Sequence, residues 1–236
     1  TMWVNLPEVG PDLTMDQPGS GVDPVTDHGA AADPARQQRF NALLEELVAD
    51  RPDDAAVIDL ATWLRESGED QRLRPDGLHF SDTTTTEVAQ RFLVDALIGT
   101  FETWWVDGGG ERAEAARTTG NPTGTAPTNP GTVAPAGSER RDREPLRILW
   151  AGDSTSLAFA MASGGYLADN PDLESYSIAE VGCGVGRGGR RRHPAGIDQD
   201  VCPDWQEKYA TGLARARPDL VVMSSAVWDA TDRQLE

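Results

Sequence analysis

The chain predicts an α/β fold, a parallel sheet with helices on its faces. Three observations carry this. Five apolar runs of strand length occur: MWVNL (2–6), AAVIDL (55–60), RILWA (147–151), YSIAEV (176–181) and DLVVMS (219–224). Helix-period segments alternate with them, and a strand–helix–strand succession implies parallel pairing. The length of 236 residues suffices for one large α/β domain or for parts of two.

The elements follow in order. The strand at 2–6 runs into Pro7, and residues 8–33 are rich in Gly, Pro and Asp, the composition of a long loop. Asp33-Pro34 opens a helix by a capping carboxylate and a first-turn proline. Phe40, Leu43, Leu44, Leu47 and Val48 recur on one face of it. Arg51 to Asp54 stops that helix, and the strand at 55–60 follows. Trp63 and Leu64 are expected to cover the sheet's end, ahead of a polar stretch, ESGEDQRLR. Thr83 to Trp105 reads as one long helix, with Val88, Phe92, Leu93, Ala96 and Leu97 at helical spacing.

Residues 107–144 change character. They are dense in Gly, Pro, Thr and Ala and carry few large apolar side chains, too few to bury a core, so they read as a disordered linker. This divides the chain into 1–106, 107–144 and 145–236. Beyond the linker come the strand at 147–151, a helix from Ser154, and the strand at 176–181 ending at Gly182-Cys183-Gly184. A Gly- and Arg-rich surface loop follows at 185–201, then a helix over 203–216 and the strand at 219–224.

Charge bounds the partners. The net charge is −18 and the pI about 4.4, which argues against nucleic acid and anionic membrane surfaces. No run of about eighteen apolar residues reads as a membrane span. Cys183 and Cys202 are the two cysteines, a pair open to two readings: a disulfide outside the cytosol or two free thiols inside it. His193 is the one imidazole near them and no CxxC occurs, so no metal site is expected, and no other cofactor.

Two short stretches carry chemistry. In Arg147–Ser156, RILWAGDSTS, an apolar strand ends in Gly152-Asp153-Ser154 and feeds a helix. A serine there sits beside helix N-terminal amides that can stabilise an oxyanion, which suits a nucleophile. An ordinary helix cap has the same appearance. In Pro75 to Ser81, PDGLHFS, Asp76 and His79 stand three residues apart. A carboxylate at that spacing can accept from one imidazole nitrogen and leave the other as a base, which a serine hydroxyl needs.

Taken together, Gly152-Asp153-Ser154 after a strand, Gly182 after the next strand, and Asp76-x-x-His79 before a last helix resemble the SGNH (GDSL-type) hydrolase superfamily. RILWAGDST, GCG, Cys202-Pro203-Asp204-Trp205, VVMSSAVWD and RPDGLHFS look most like the SGNH domains attached to membrane acyltransferase-3 proteins. The resemblance implies a three-layer, flavodoxin-like sheet in the order 2-1-3-4-5. It implies Ser154 as nucleophile, His79 as general base and Asp76 as the group that orients it. The oxyanion hole would draw on the Ser154 N–H and on Gly182, with Gly184 as its alternative. The third donor departs from the pattern: where Gly-x-Asn-Asp is expected the chain has Ala226-Val227-Trp228-Asp229, so Trp228 holds the Asn position with at most an indole N–H. One lost donor costs about 3 kcal/mol of transition-state stabilisation. The resemblance also implies a Cys183–Cys202 disulfide and an extracytoplasmic location.

In the family the nucleophile comes first and the Asp–His pair last. Here residues 1–106 look like the back half of a domain and 145–236 like the front half. A tandem protein seen from the end of one domain to the start of the next would give this order, and so would a circular permutation. The halves are complementary, so they are expected to pack as one domain with Ser154 Oγ within about 4 Å of the His79 ring. The expected function is an SGNH-type serine esterase or O-acyltransferase. It would act on acyl, by resemblance acetyl, esters of cell-envelope carbohydrate, with a membrane acyltransferase domain as a partner in the parent protein. The alternative is a catalytically weak or inactive carbohydrate-binding or scaffold domain of the same fold.

Overall fold

Five parallel strands form the central sheet of the computed structural model, which describes residues 1–8, 33–52, 54–106, 145–185, 190–193, 196–197, 202–224, 229 and 233–234. They are β1 (Met2–Val4), β2 (Ala56–Ile58), β3 (Leu146–Gly152), β4 (Leu173–Ser177) and β5 (Leu220–Ser224). Their order across the sheet is β2-β1-β5-β3-β4, the flavodoxin-like order expected. The two stretches meet where β1 pairs with β5, Met2 opposite Val222 and Val4 opposite Ser224. Residues 107–144, read as a linker, lie outside the described residues, as do 9–32 of the expected loop.

Helices connect the strands: α1 (Pro34–Asp50), α2 (Leu60–Ser67), α3 (Asp70–Leu73), α4 (Asp82–Val88), α5 (Val94–Val106), α6 (Ser154–Ala168) and α7 (Trp205–Ala216). Crossovers between parallel strands are right-handed. The step from β3 to β4 runs one way across the sheet, and the steps from β4 to β5 and β1 to β2 run the other. That puts α6 on one face and α7 and α1 on the opposite face. Between them lies the core, with Trp150, Phe159, Leu60, Leu64, Leu93 and Val222 almost wholly buried. β3, third in the sheet's interior, is buried along its last five residues, as a strand covered on both sides must be.

Local signals place several ends. The Asp33 carboxylate accepts from the Ala35 N–H with Pro34 at the first helical position. Asp59 caps α2 through the Thr62 N–H, and Gly68 at φ +66° closes it in the left-handed conformation.

The structure departs from the sequence reading where the signal was weak. β4 begins at Leu173 rather than Tyr176, because it is an edge strand with partly exposed side chains and no apolar run at its start. The segment after it still follows β3, with Ile178 N–H on the Trp150 carbonyl at 2.9 Å and Glu180 N–H on the Gly152 carbonyl at 3.0 Å. The long helix is interrupted by a π turn at Ala89–Leu93. Its wider turn adds one residue to the core spacing, so Val88, Leu93, Leu97 and Phe101 are all buried. In α1 only Leu44 of the expected apolar face is buried; Leu43 and Leu47 are exposed, and Gln37 is buried instead. Within the polar stretch at 66–74, α3 forms around the buried Leu73. Within the loop expected at 185–201, short strands at Arg190–His193 and Gly196–Ile197 pair antiparallel, and the first also pairs with Arg233–Gln234.

At the end of β3, Gly152 adopts φ +122°, and a Cβ there would lie 2.0 Å from the Ser224 carbonyl oxygen. Only glycine allows β3 and β5 to approach so closely at this turn. Gly152→Ala is therefore expected to destabilise the fold by at least about 1–3 kcal/mol, read as a lower midpoint in urea unfolding.

Candidate active site

Three loops carry the predicted residues: two follow β3 and β4 at their carboxyl ends, the place where open α/β sheets build sites, and one joins α3 to α4. The first follows β3. Asp153, almost completely buried, accepts from the Thr155 N–H at 2.9 Å through its side chain, and its carbonyl takes the first helical bond from Leu157. Ser154 is the first residue of α6 and is half-buried. Its helical position sets it among amides without intrahelical acceptors.

Ser156, two residues on, has a different role. Its buried hydroxyl donates to the Ala151 carbonyl at 2.6 Å, accepts from the Ser224 N–H at 2.9 Å and lies 2.7 Å from Ser224 Oγ. The serine of the GDS turn and the serine of the following helical turn thus divide the work: one lies at the helix start, the other knots β3, β5 and α6 together.

The second loop joins α3 to α4. The Asp76 carboxylate makes three short contacts: one oxygen accepts from the backbone N–H of Leu78 at 2.9 Å and of His79 at 2.7 Å, and the other lies 2.7 Å from His79 Nδ1. Burial pushes the Asp76 pKa up, but the bonds from the His79 ring and from the two amides outweigh it and hold the carboxyl below its ordinary 3.8. An ionised carboxylate only accepts, so Nδ1 carries the proton and Nε2 of the neutral ring is left as a base. Gly77, at φ +72°, makes the turn that allows this geometry. The His79 side chain is half exposed.

Phe80 carries this loop to α6. Its ring lies 5.4 Å from that of Phe159, and α4 packs against α6. The Asp–His loop from the first stretch and the Ser154 helix from the second therefore share one side of the sheet.

The third loop, after β4, is attached to the first by the Glu180–Gly152 bond. Lys208 of α7 pairs with the Glu180 carboxylate. Gly182 turns at φ +74° and the Cys183 N–H returns to the Glu180 carbonyl. Cys183 and Cys202 are joined as a disulfide, both buried. Asp229 reaches this loop from beyond β5. Its carboxylate accepts from the Val185 N–H at 3.0 Å and lies so near Gly184 that a Cβ there would sit 2.7 Å from it. Trp228, placed at the third oxyanion position by the sequence, lies outside the described residues.

Sequence reasoning gave no role to Ser156, Asp229 or Tyr209. The Tyr209 hydroxyl is buried close to Gly152, and its pKa is pushed up to about 12, by burial first and by the negative charges of Asp229 and Asp153, with the Gly152 backbone pulling the other way. It therefore stays a neutral phenol at any ordinary pH. The only signal for Ser156 was a second serine in GDSTS; for Asp229 and Tyr209 the contacts are non-local and leave no local pattern. Comparison with family models, with curated proteins and with solved structures finds no match.

Two outcomes follow from this geometry. Ser156→Ala leaves the buried Ser224 N–H without its acceptor and is expected to lower stability by about 1–3 kcal/mol in urea unfolding, whereas Ser154→Ala stays within about 0.5 kcal/mol. Asp76 has a folded-state pKa below its unfolded one, so its contribution is present above the unfolded pKa and lost as pH falls through the folded one. The stability gap between wild type and Asp76→Asn should be constant above about pH 5 and close as pH falls below about 4.

Proposed function

We propose that the protein is an SGNH-type serine esterase or O-acyltransferase, with Ser154 as nucleophile, His79 as general base and Asp76 as its orienting carboxylate. The observation that carries the reading is the Asp76–His79 pair, 2.7 Å apart on Nδ1, whose loop is packed through Phe80 onto the helix that Ser154 begins. The strand order and the glycine turn ahead of Ser154 support it.

In this mechanism the Ser154 hydroxyl gives its proton to His79 Nε2 as Oγ bonds to the acyl carbonyl carbon. The carbonyl π electrons move to oxygen, where the Ser154 and Gly182 amides stabilise the charge, with Gly184 as the alternative donor and the Trp228 indole as the third. Collapse breaks the bond to the alcohol oxygen, which takes the proton from His79 and leaves an acyl-serine. Water or an acceptor hydroxyl then loses its proton to His79 and attacks the acyl carbon; the acyl–Oγ bond breaks and His79 returns the proton to Ser154 Oγ. Asp76 remains ionised and stabilises the imidazolium throughout.

The substrate class is an acylated, by resemblance acetylated, cell-envelope carbohydrate. The location is extracytoplasmic, with a membrane acyltransferase domain in the parent protein; the buried Cys183–Cys202 disulfide is in keeping with an oxidising compartment. No helix among the described residues is long and apolar enough to cross a membrane.

Turnover of p-nitrophenyl acetate tests the reading. Ser154→Ala and His79→Ala are each expected to lower kcat at least about 1000-fold with the far-ultraviolet circular dichroism unchanged. Turnover that persists in Ser154→Ala, or a wild-type protein that binds acetylated oligosaccharide without cleaving it, overturns the reading in favour of a binding domain.

A further inference from the structure

Arg74 is among the least expected side chains in the molecule: an arginine only 3% exposed, two residues before the Asp–His pair. A buried guanidinium is retained only where its donors are met. Here Nε and Nη2 hold the two oxygens of Asp70 at 2.6 and 2.7 Å, a fork-to-fork pair. Nη2 also donates to the Glu8 carbonyl at 3.0 Å, and Nη1 donates to the Gly77 carbonyl at 3.1 Å. The Arg74 carbonyl in turn accepts from the Gly77 N–H at 2.8 Å. One residue thus grips the residue between Asp76 and Leu78 by both its N–H and its carbonyl.

That grip matters because Gly77, with no Cβ, is the residue of the turn least restricted by its own sterics. It sits at φ +72°, a conformation open to glycine at little cost. Asp76 precedes it and the amides that fix the Asp76 carboxylate, Leu78 and His79, follow it. The guanidinium's other bonds reach separate parts of the fold. Glu8 lies on the segment that leaves β1, and Asp70 belongs to α3, which Arg72 ties to α4 through Glu87.

We propose that Arg74 is the positioning residue of the Asp76–His79 pair: by clamping Gly77 to α3 and to the exit of β1, it aims the Asp76 carboxylate at Nδ1 of His79. The inference deepens the esterase reading and rests on it for its catalytic consequence, while the positioning itself is read on the imidazole directly. Arg74 touches no reacting atom. Its effect passes through the tautomer and orientation of the base, which the Nδ1–H bond to Asp76 determines.

The test measures the His79 ring by long-range nitrogen–proton spectra of the full chain, assigned with His79→Gln, together with p-nitrophenyl acetate kinetics. The wild type should show a fixed Nδ1–H tautomer. Arg74→Gln, Arg74→Lys and Asp70→Asn should show a mixture of tautomers, with kcat down about 10- to 100-fold and KM within about 2-fold. If Arg74→Gln does not fold, the two milder variants decide. A wild-type tautomer in the folded variants overturns the proposal whatever the kinetics, as does a wild-type ring without a fixed Nδ1–H. If the variants lose the tautomer but the wild type has no Ser154-dependent turnover, the positioning role stands and the esterase reading falls.

Discussion

A three-residue parallel ladder between β1 and β5 is the constraint on which the molecule depends. Met2, Trp3 and Val4 lie opposite Val222, Met223 and Ser224, and this pairing joins the two stretches of the chain into one sheet. β1 and β2 would otherwise be a two-stranded sheet with α1 and α2 beside it, and such small sheets are marginal in water. With β5 between β1 and β3, every strand but the two edges has two neighbours, and the core runs without a break from Ile58 and Leu64 to Trp150 and Phe159.

The same junction shapes the turn before Ser154. β3 and β5 end together, Gly152 opposite Ser224, and the close approach leaves no room for a side chain at Gly152. Ser156 and Ser224 then share their hydroxyls across the gap. Buried hydroxyls of this kind are costly unless every donor finds an acceptor, and once satisfied they leave the backbone few alternatives. The start of α6 is held by backbone geometry and by residues other than Ser154, which leaves Ser154 free of a structural duty.

Three buried or half-buried charges around the proposed site are each met by hydrogen-bond partners. Asp76 is met by two amides and a ring nitrogen, Arg74 by a carboxylate and two carbonyls, Asp229 by the Val185 amide. Such groups resist displacement because a buried charge that loses its partner is left uncompensated. The His79 imidazole on its surface loop can then keep one geometry although its ring is half exposed to water.

What could be read from the sequence was what short-range physics controls. The strand-length apolar runs, the Asp33-Pro34 helix start and the Asp76–His79 pairing each need only residues within four positions of one another, so their pattern is written locally. Strand order was legible through the likeness of the motifs to a known arrangement. The tertiary structure alone decided the start of β4, the π turn at Ala89–Leu93, the exposure of Leu43 and Leu47, and the tasks of Ser156, Asp229 and Arg74. Those depend on register and on which backbone groups are left needing a partner once the sheet has closed. A polar side chain becomes a clamp or a knot only after distant strands have brought an unmet donor or acceptor to its tip.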